Sequence, residues 1–307
     1  MLEQEIADQP FTIRYYLTRS GRDALPLERG FLRNQVGNNR PTPGPLSAFV
    51  RRGRDSALEQ YLFMHAVASS GAEGIYDVRL PASAWARAIG AYIHPSTGEV
   101  EQAALHLVSR NWRFLEQLKL VDRERVKRRA RVWLLADDGG GGEYRHPADG
   151  RRGEKLDDGE AGYLTLPYAY WYEGWHTRLG LAGKAMLLIG LSLGNGFQLP
   201  YRQVPEWYGI SASTAERGLT ELLKQGILHR ELHQRPDPEV RSGRVEVYYY
   251  ELLPPFGPRE AMAKSVHPRW SGPPRPKRTA PSKRTTKTGA RTDARTAVIR
   301  KRSRRAA

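Results

Sequence analysis

"GISASTAERGLTELLKQGIL" occupies Gly209–Leu228. Ala215, Leu219, Leu222 and Leu223 recur at i, i+4, i+7 and i+8, which is the spacing of one apolar helix face. Ser213 and Glu216 stand at capping-box spacing and place the helix start at Ser213. Gly209 falls where a turn between two helices needs a positive φ, and Gly226 where the helix should end. Ser213, Arg217, Thr220 and Lys224 then point away from the apolar stripe. Arginine suits guanine, serine and threonine suit several acceptors, and lysine suits phosphate. The periodicity alone does not choose between a core helix and a helix that reads DNA, because a charged outer face is usually just solvated.

The flanks narrow the choice. Upstream lie a helix pattern in "LAGKAMLLIGLSLG" (181–194), a short strand in "FQLP" (197–200) and a brief helix in "VPEWYG" (204–209). Pro205 is tolerable there only in the first turn. Downstream come "ILHRELHQ" (227–234), a loop "RPDPEVRSG" (235–243) and "RVEVYYYEL" (244–252). In the last, Val245, Val247 and Tyr249 face one side, and Glu246, Tyr248 and Tyr250 the other.

An earlier block follows the same order. "SALEQYLFMHAVASSG" (56–71) opens with Ser56 and Glu59 at capping-box spacing, and "IYDVRL" (75–80) reads as a strand. "PASAWARAIG" (81–90) reads as a short helix. "STGE" (96–99) is a second capping box, opening a helix with Val100, Ala104, Leu107, Leu115 and Leu118 in one stripe. "LKLVDRER", the basic turn "VKRR" and "ARVWLLA" complete a hairpin.

Helix, strand, helix, helix, strand, basic loop, strand is the element order of a winged helix-turn-helix, and it occurs twice. "GISASTAERGLTELLKQGIL" resembles the turn, recognition helix and second strand of bacterial winged-helix regulators, in a style similar to actinobacterial proteins. The tandem arrangement also resembles two-winged-helix plasmid replication initiators. The likeness covers about 56–136 and 181–253. It implies an α+β, mainly helical fold of two tandem winged helix-turn-helix domains. It also implies groove-facing roles for Ser211, Ser213, Thr214, Arg217 and Thr220, with Lys224 on phosphate and Arg235, Arg241 and Arg244 in the wing. The first block departs from the pattern: its third helix lacks the Ser-x-x-Thr start and carries Trp112 and Phe114 late. Its outward set is Gln102, His106, Arg110 and Arg113, and its wing holds Lys127, Arg128 and Arg129. Two roles stay open for it, gripping DNA backbone or forming a homodimer.

The expected organisation is an N-terminal extension (1–50), a first winged helix (51–136), a flexible linker (137–162), a second winged helix (163–256) and a disordered basic tail (257–307). "FTIRYYLT" (11–18) reads as a strand, and the Gly-rich 136–162 stretch as linker. The tail has almost no large apolar residues and cannot bury enough surface to order itself. From Arg259 onward there are 16 Lys/Arg against 2 Asp/Glu, a net +14 of the chain's +16. The remaining 258 residues therefore carry only +2, so a basic surface on the folded part must be a patch.

The chain has no cysteine, which removes disulfides, thiolate metal sites and cysteine nucleophiles. The acidic, polar start is no secretory signal, and the longest apolar run is about half a membrane span. A cytoplasmic, nucleoid-associated protein without a membrane partner is expected. No catalytic motif emerges either. "HRELH" (229–233) misplaces the Glu of a zinc-protease helix, and on a strand its histidines lie about 13 Å apart. "RLGLAGKA" (178–185) lacks the first Gly and final Ser/Thr of a phosphate loop. The aromatic run "YLTLPYAYWYEGWHTRLGL" (163–181) reads as a strand and short helix packed on block two, with a single-strand stacking platform as the alternative. The reading is a double-stranded-DNA-binding protein without enzyme activity, cofactor or metal. Its expected role is transcriptional regulation. The alternatives are replication initiation, or a protein-interaction module whose tail alone binds nucleic acid.

Overall fold

The first ordered segment is a helix, where aromatic and β-branched residues predict a strand. The Asp8 carboxylate accepts the Phe11 amide at 2.8 Å, and a proline sits in the first turn. Thr12, Ile13 and Leu17 are buried along one side, and Gly21 ends the helix at φ 68°. Cap and burial together outweigh the strand preference of single residues and give α1 (Gln9–Ser20). The computed structural model describes residues 7–34, 40–70, 74–91, 94, 97, 99–126, 129–146, 162–194, 196–200, 203–236 and 238–257. All of them fall in one compact unit. Among them are ten α-helices and four small antiparallel sheets.

After α1 come β1 (Ala24–Glu28), a tight turn at Arg29–Phe31, β2 (Arg33–Asn34), β3 (Thr42–Pro43) and α2 (Leu46–Arg51). Leu25, Leu27, Phe31, Leu46 and Phe49 are fully buried, so this region is core and not an appended extension. The Arg22 guanidinium donates to the carbonyls of His65, Ala66 and Ala68 at 2.7–3.1 Å, satisfying the end of the helix Asp55–Val67.

Block one consists of α3 (Asp55–Val67), β4 (Ser69–Ser70), β5 (Tyr76–Val78), α4 (Ala82–Ala88), α5 (Gln102–Gln117), β6 (Val121–Val126) and β7 (Arg129–Leu134). Its sheet order is β4-β5-β7-β6. The capping box expected at Ser56 does not form, and Ser96 of the second lies outside the described residues. Helix α3 starts at Asp55, and Glu59 is buried in an ion pair instead of reaching back to the cap. Helix α5 starts beyond "STGE", with Glu101 at the cap position and no side-chain bond there. Its inner face is Ala104, Val108, Asn111, Trp112 and Leu115, so Val100 drops out of the expected stripe and Leu107 is only half-buried.

The expected linker is in part built into the fold. Asp137 is fully buried, accepts the Tyr61 hydroxyl and the Glu28 amide, and lies 3.0 Å from His65 Nε2. "GGGG" (139–142) forms a turn closed by the Ala136 amide on the Gly142 carbonyl, and Tyr144 packs on Tyr76 and His65. Residues 147–161 lie outside the described residues. The aromatic run forms β8 (Tyr163–Pro167), α6 (Ala169–Tyr172) and α7 (Trp175–Arg178), with β8 pairing antiparallel to β1. Tyr168, Tyr170, Trp171 and Trp175 are buried, which removes the stacking-platform alternative.

Block two consists of α8 (Leu181–Leu193), β9 (Phe197–Gln198), α9 (Val204–Tyr208), α10 (Ala212–Lys224), β10 (Leu228–Pro236) and β11 (Arg244–Leu252). Its sheet order is β10-β11-β9. In both blocks the strand that precedes the second helix, β5 or β9, pairs with the last strand of the hairpin. One continuous hydrophobic core joins the blocks. At the joint, Lys184 of α8 is 2% exposed and its Nζ lies 2.8 Å from Asp55 and 2.9 Å from Glu59, both on α3. Glu59 also accepts the Tyr170 hydroxyl. Burial opposes the Lys184 charge, but the Glu59 and Asp55 carboxylates override it and hold its pKa above that of an ordinary lysine.

Candidate nucleic-acid interface

The placement of α10 is set by close approaches on its inner side. Gly209 adopts φ 62°, and a Cβ there would meet Pro43 and Ser47 side chains at 2.9 Å, so the N-terminal region seats the turn before the helix. A Cβ on Gly218 would come within 2.4 Å of the Ala182 carbonyl oxygen, so the helix packs directly on the α8 backbone. Glu221 Oε1 accepts the Gly180 amide at 2.7 Å and thereby caps α8. Gly226 ends the helix at φ 71°, and the Leu253 amide bonds to the Ile227 carbonyl, tying the hairpin back to the helix end. The buried stripe is Ala215, Leu219 and Leu222, joined by Gly218, while Leu223 is half-buried.

The helix start is two residues earlier than expected. Ser211, not Ser213, is the cap residue, accepting the Thr214 amide at 3.2 Å. Its hydroxyl also bonds to those of Thr214 (2.8 Å) and Ser213 (3.2 Å). Glu216 is therefore released from the capping box. Ser213, Arg217, Thr220 and Lys224 are exposed as expected, and Thr214 is half-buried. With Glu216, Glu221 and Gln225 they line an open concavity of about 460 Å³.

The hairpin β10–β11 pairs nine residues per strand, from Leu228–Leu252 to Pro236–Arg244. Tyr250 and Leu252 are buried at its base, and the distal part is exposed. Arg235, Arg241 and Arg244 are all exposed. Arg235 lies opposite Val245 and Arg244 opposite Pro236, so these two cations occupy opposite faces of the ribbon. The Arg230 guanidinium stacks over Tyr248 at 4.6 Å. On the other face His229 and His233 bracket Glu231, at 3.4 and 3.1 Å. Hydrogen bonds from His233 and His229 hold the Glu231 carboxyl below its ordinary value. Among the described residues no group of three or more His, Asp or Glu side chains is arranged to hold a metal ion.

In block one, Gln102, His106, Arg110 and Arg113 are exposed along α5, and Gln102 lies 3.4 Å from His106. Val126 pairs with Arg129 at the hairpin end, while Lys127 and Arg128 lie outside the described residues, as does 258–307 with the expected tail.

No protein-family model, curated protein or solved structure matches this chain. Among the described residues no helix is long and apolar enough to cross a membrane.

Three functional positions escaped sequence reasoning. Glu216 was assigned a local capping role by its spacing. Glu221 carries no motif signal in the sequence but caps α8. Gly218 carried the one usable signal, since a glycine on the buried side of an amphipathic helix marks a close backbone approach.

Proposed function

We propose that the chain is a double-stranded-DNA-binding protein of tandem winged-helix type, with α10 as its recognition helix and β10–β11 as its wing. In this reading α10 lies in a major groove and Arg235, Arg241 and Arg244 reach adjacent backbone from either side of the ribbon. The observation that carries it is the exposed set Ser213, Arg217 and Thr220 on a helix whose other side is locked onto α8, directly before a long basic-tipped hairpin. Block one contributes Arg110 and Arg113 to the backbone, or a surface on which two copies pair. The basic segment beyond Arg259 adds sequence-independent phosphate affinity that falls steeply with salt. The role is non-enzymatic and requires no cofactor. Its setting is the cytoplasmic nucleoid, and its biological task transcriptional regulation. The repeat of one three-strand order, β5-β7-β6 and β9-β11-β10, favours replication initiation as the second reading.

Selection from a random duplex pool tests the proposal. A short motif should be enriched. Arg217→Ala should cost about 1–3 kcal/mol at that motif and much less on random duplex. Equal losses on both would remove Arg217 from base readout, and no duplex binding by the full chain would reject the reading.

A further inference from the structure

Glu216 sits beside Arg217 in the α10 concavity, three residues after Ser213 and four before Thr220. These spacings put all four side chains on one helix surface. Among the described residues no hydrogen bond or ion pair engages the Glu216 carboxylate; with Ser211 at the cap, Thr214 and not Glu216 stands at the third helical position. The other carboxylate of the concavity, Glu221, is occupied by the Gly180 amide. One exposed, unpaired carboxylate thus stands beside the hydroxyls of Ser213 and Thr220 and the cations of Arg217 and Lys224, with Glu221 and Gln225 completing the lining.

We infer that Glu216 is a specificity-determining residue that accepts a hydrogen bond from the N4 amine of a cytosine in the major groove. The inference rests on α10 being the DNA-reading helix. A carboxylate brought near phosphates is repelled by any duplex, so it lowers affinity unless a donor meets it. In the major groove the donors are cytosine N4 and adenine N6, whereas guanine and thymine present acceptors where the carboxylate would sit. Adenine sets its N7 acceptor beside N6, which repels the second carboxylate oxygen. Cytosine has no such neighbour. Arg217 next to it recognises the opposite pattern, the O6 and N7 acceptors of guanine. The adjacent acid and base therefore require a cytosine and a guanine at neighbouring positions and penalise the reverse arrangement.

The test compares selected motifs for the full-length wild type, Glu216→Ala and Glu216→Gln. The wild type should favour cytosine at one position by about ten- to a hundredfold. Glu216→Ala should lose that preference, keep the preferences at other positions and bind random duplex more tightly. Glu216→Gln should shift the same position toward adenine, whose N6 and N7 match an amide. If Glu216→Ala tightens binding to every duplex alike and leaves the motif intact, the carboxylate is only a repeller and the inference falls. If the wild type enriches no motif at all, base readout by α10 falls, and this inference with it.

Discussion

Block one and block two share a three-strand order, β5-β7-β6 and β9-β11-β10, to which block one adds β4, yet the arginines of their hairpins meet different surroundings. In block one two sheet arginines, Arg123 and Arg131, are paired with carboxylates. Arg123 grips Glu116 through two bonds of 3.0 and 3.1 Å, and Arg131 bonds Asp77 with Glu124 nearby. In block two Arg217, Arg235 and Arg241 make no ion pair among the described residues. The inner faces differ too. Helix α5 carries a polar pair inward, with Asn111 donating to Gln60 at 3.0 Å, whereas α10 carries a glycine and lies flat on α8. Among the described residues Arg123 and Arg131 of block one thus find partners within the chain, whereas Arg217, Arg235 and Arg241 of block two, like Arg110 and Arg113 on α5, make no ion pair.

The comparison fails if the blocks do not act as one body, and Lys184 is the place to break it. Lys184→Met leaves Glu59 buried beside Tyr170 without its cation, which should lower stability by about 3–5 kcal/mol. Guanidinium unfolding followed by tryptophan fluorescence would read the shift, since Trp171 and Trp175 are buried close to this joint in sequence. Unfolding should remain a single transition; two separated transitions in the wild type would mean independent blocks. Adding Glu59→Leu to the lysine variant should restore much of the loss, because the pair is then replaced by apolar packing.

A smaller effect sharpens the contrast between support and reader. Replacing Arg110 and Arg113 together by alanine should weaken binding to all duplexes alike and reduce the salt slope by about 2. A loss confined to the selected motif would instead make α5 a second reader. Unchanged DNA binding together with a shift in oligomeric state by sedimentation would assign that face to pairing of copies.

The smallest effect concerns the start of α10. Ser211→Ala should cost about 1 kcal/mol of stability in a denaturant titration, the usual worth of a lost cap. Ser213→Ala, which removes a solvent-facing hydroxyl, should stay within about 0.5 kcal/mol. The reverse ranking would return the cap to Ser213 and Glu216 to the capping box.

Much of block two was legible residue by residue. The 3.6-residue stripe of α10, the alternation in β11, the proline in the first turn of α9 and the positive φ of Gly209 and Gly226 all followed from local rules. Such features depend on sterics and hydrogen bonds within a few residues, so neighbouring sequence is enough to predict them. The capping boxes were legible in the same way and were wrong at Ser56 and Ser213 as start points, while Ser96 lies outside the described residues. Several serines, threonines and acids compete for each helix start, and small differences in packing choose among them.

The features that position the interface were not legible. Lys184 sits in what resembles a failed phosphate loop, and its partner Asp55 is 129 residues away. Gly209 was assigned to a turn, but its crowding by Pro43 and Ser47 is known only once the N-terminal region has folded over block two. Asp137 stands in a Gly-rich stretch that reads as linker, and only the buried Tyr61 hydroxyl and Glu28 amide turn it into core. Composition and periodicity describe how a segment pairs with itself. Burial of a charge, or contact between two backbones, is decided by a distant partner, and here those partners set which side of α10 is left for another molecule.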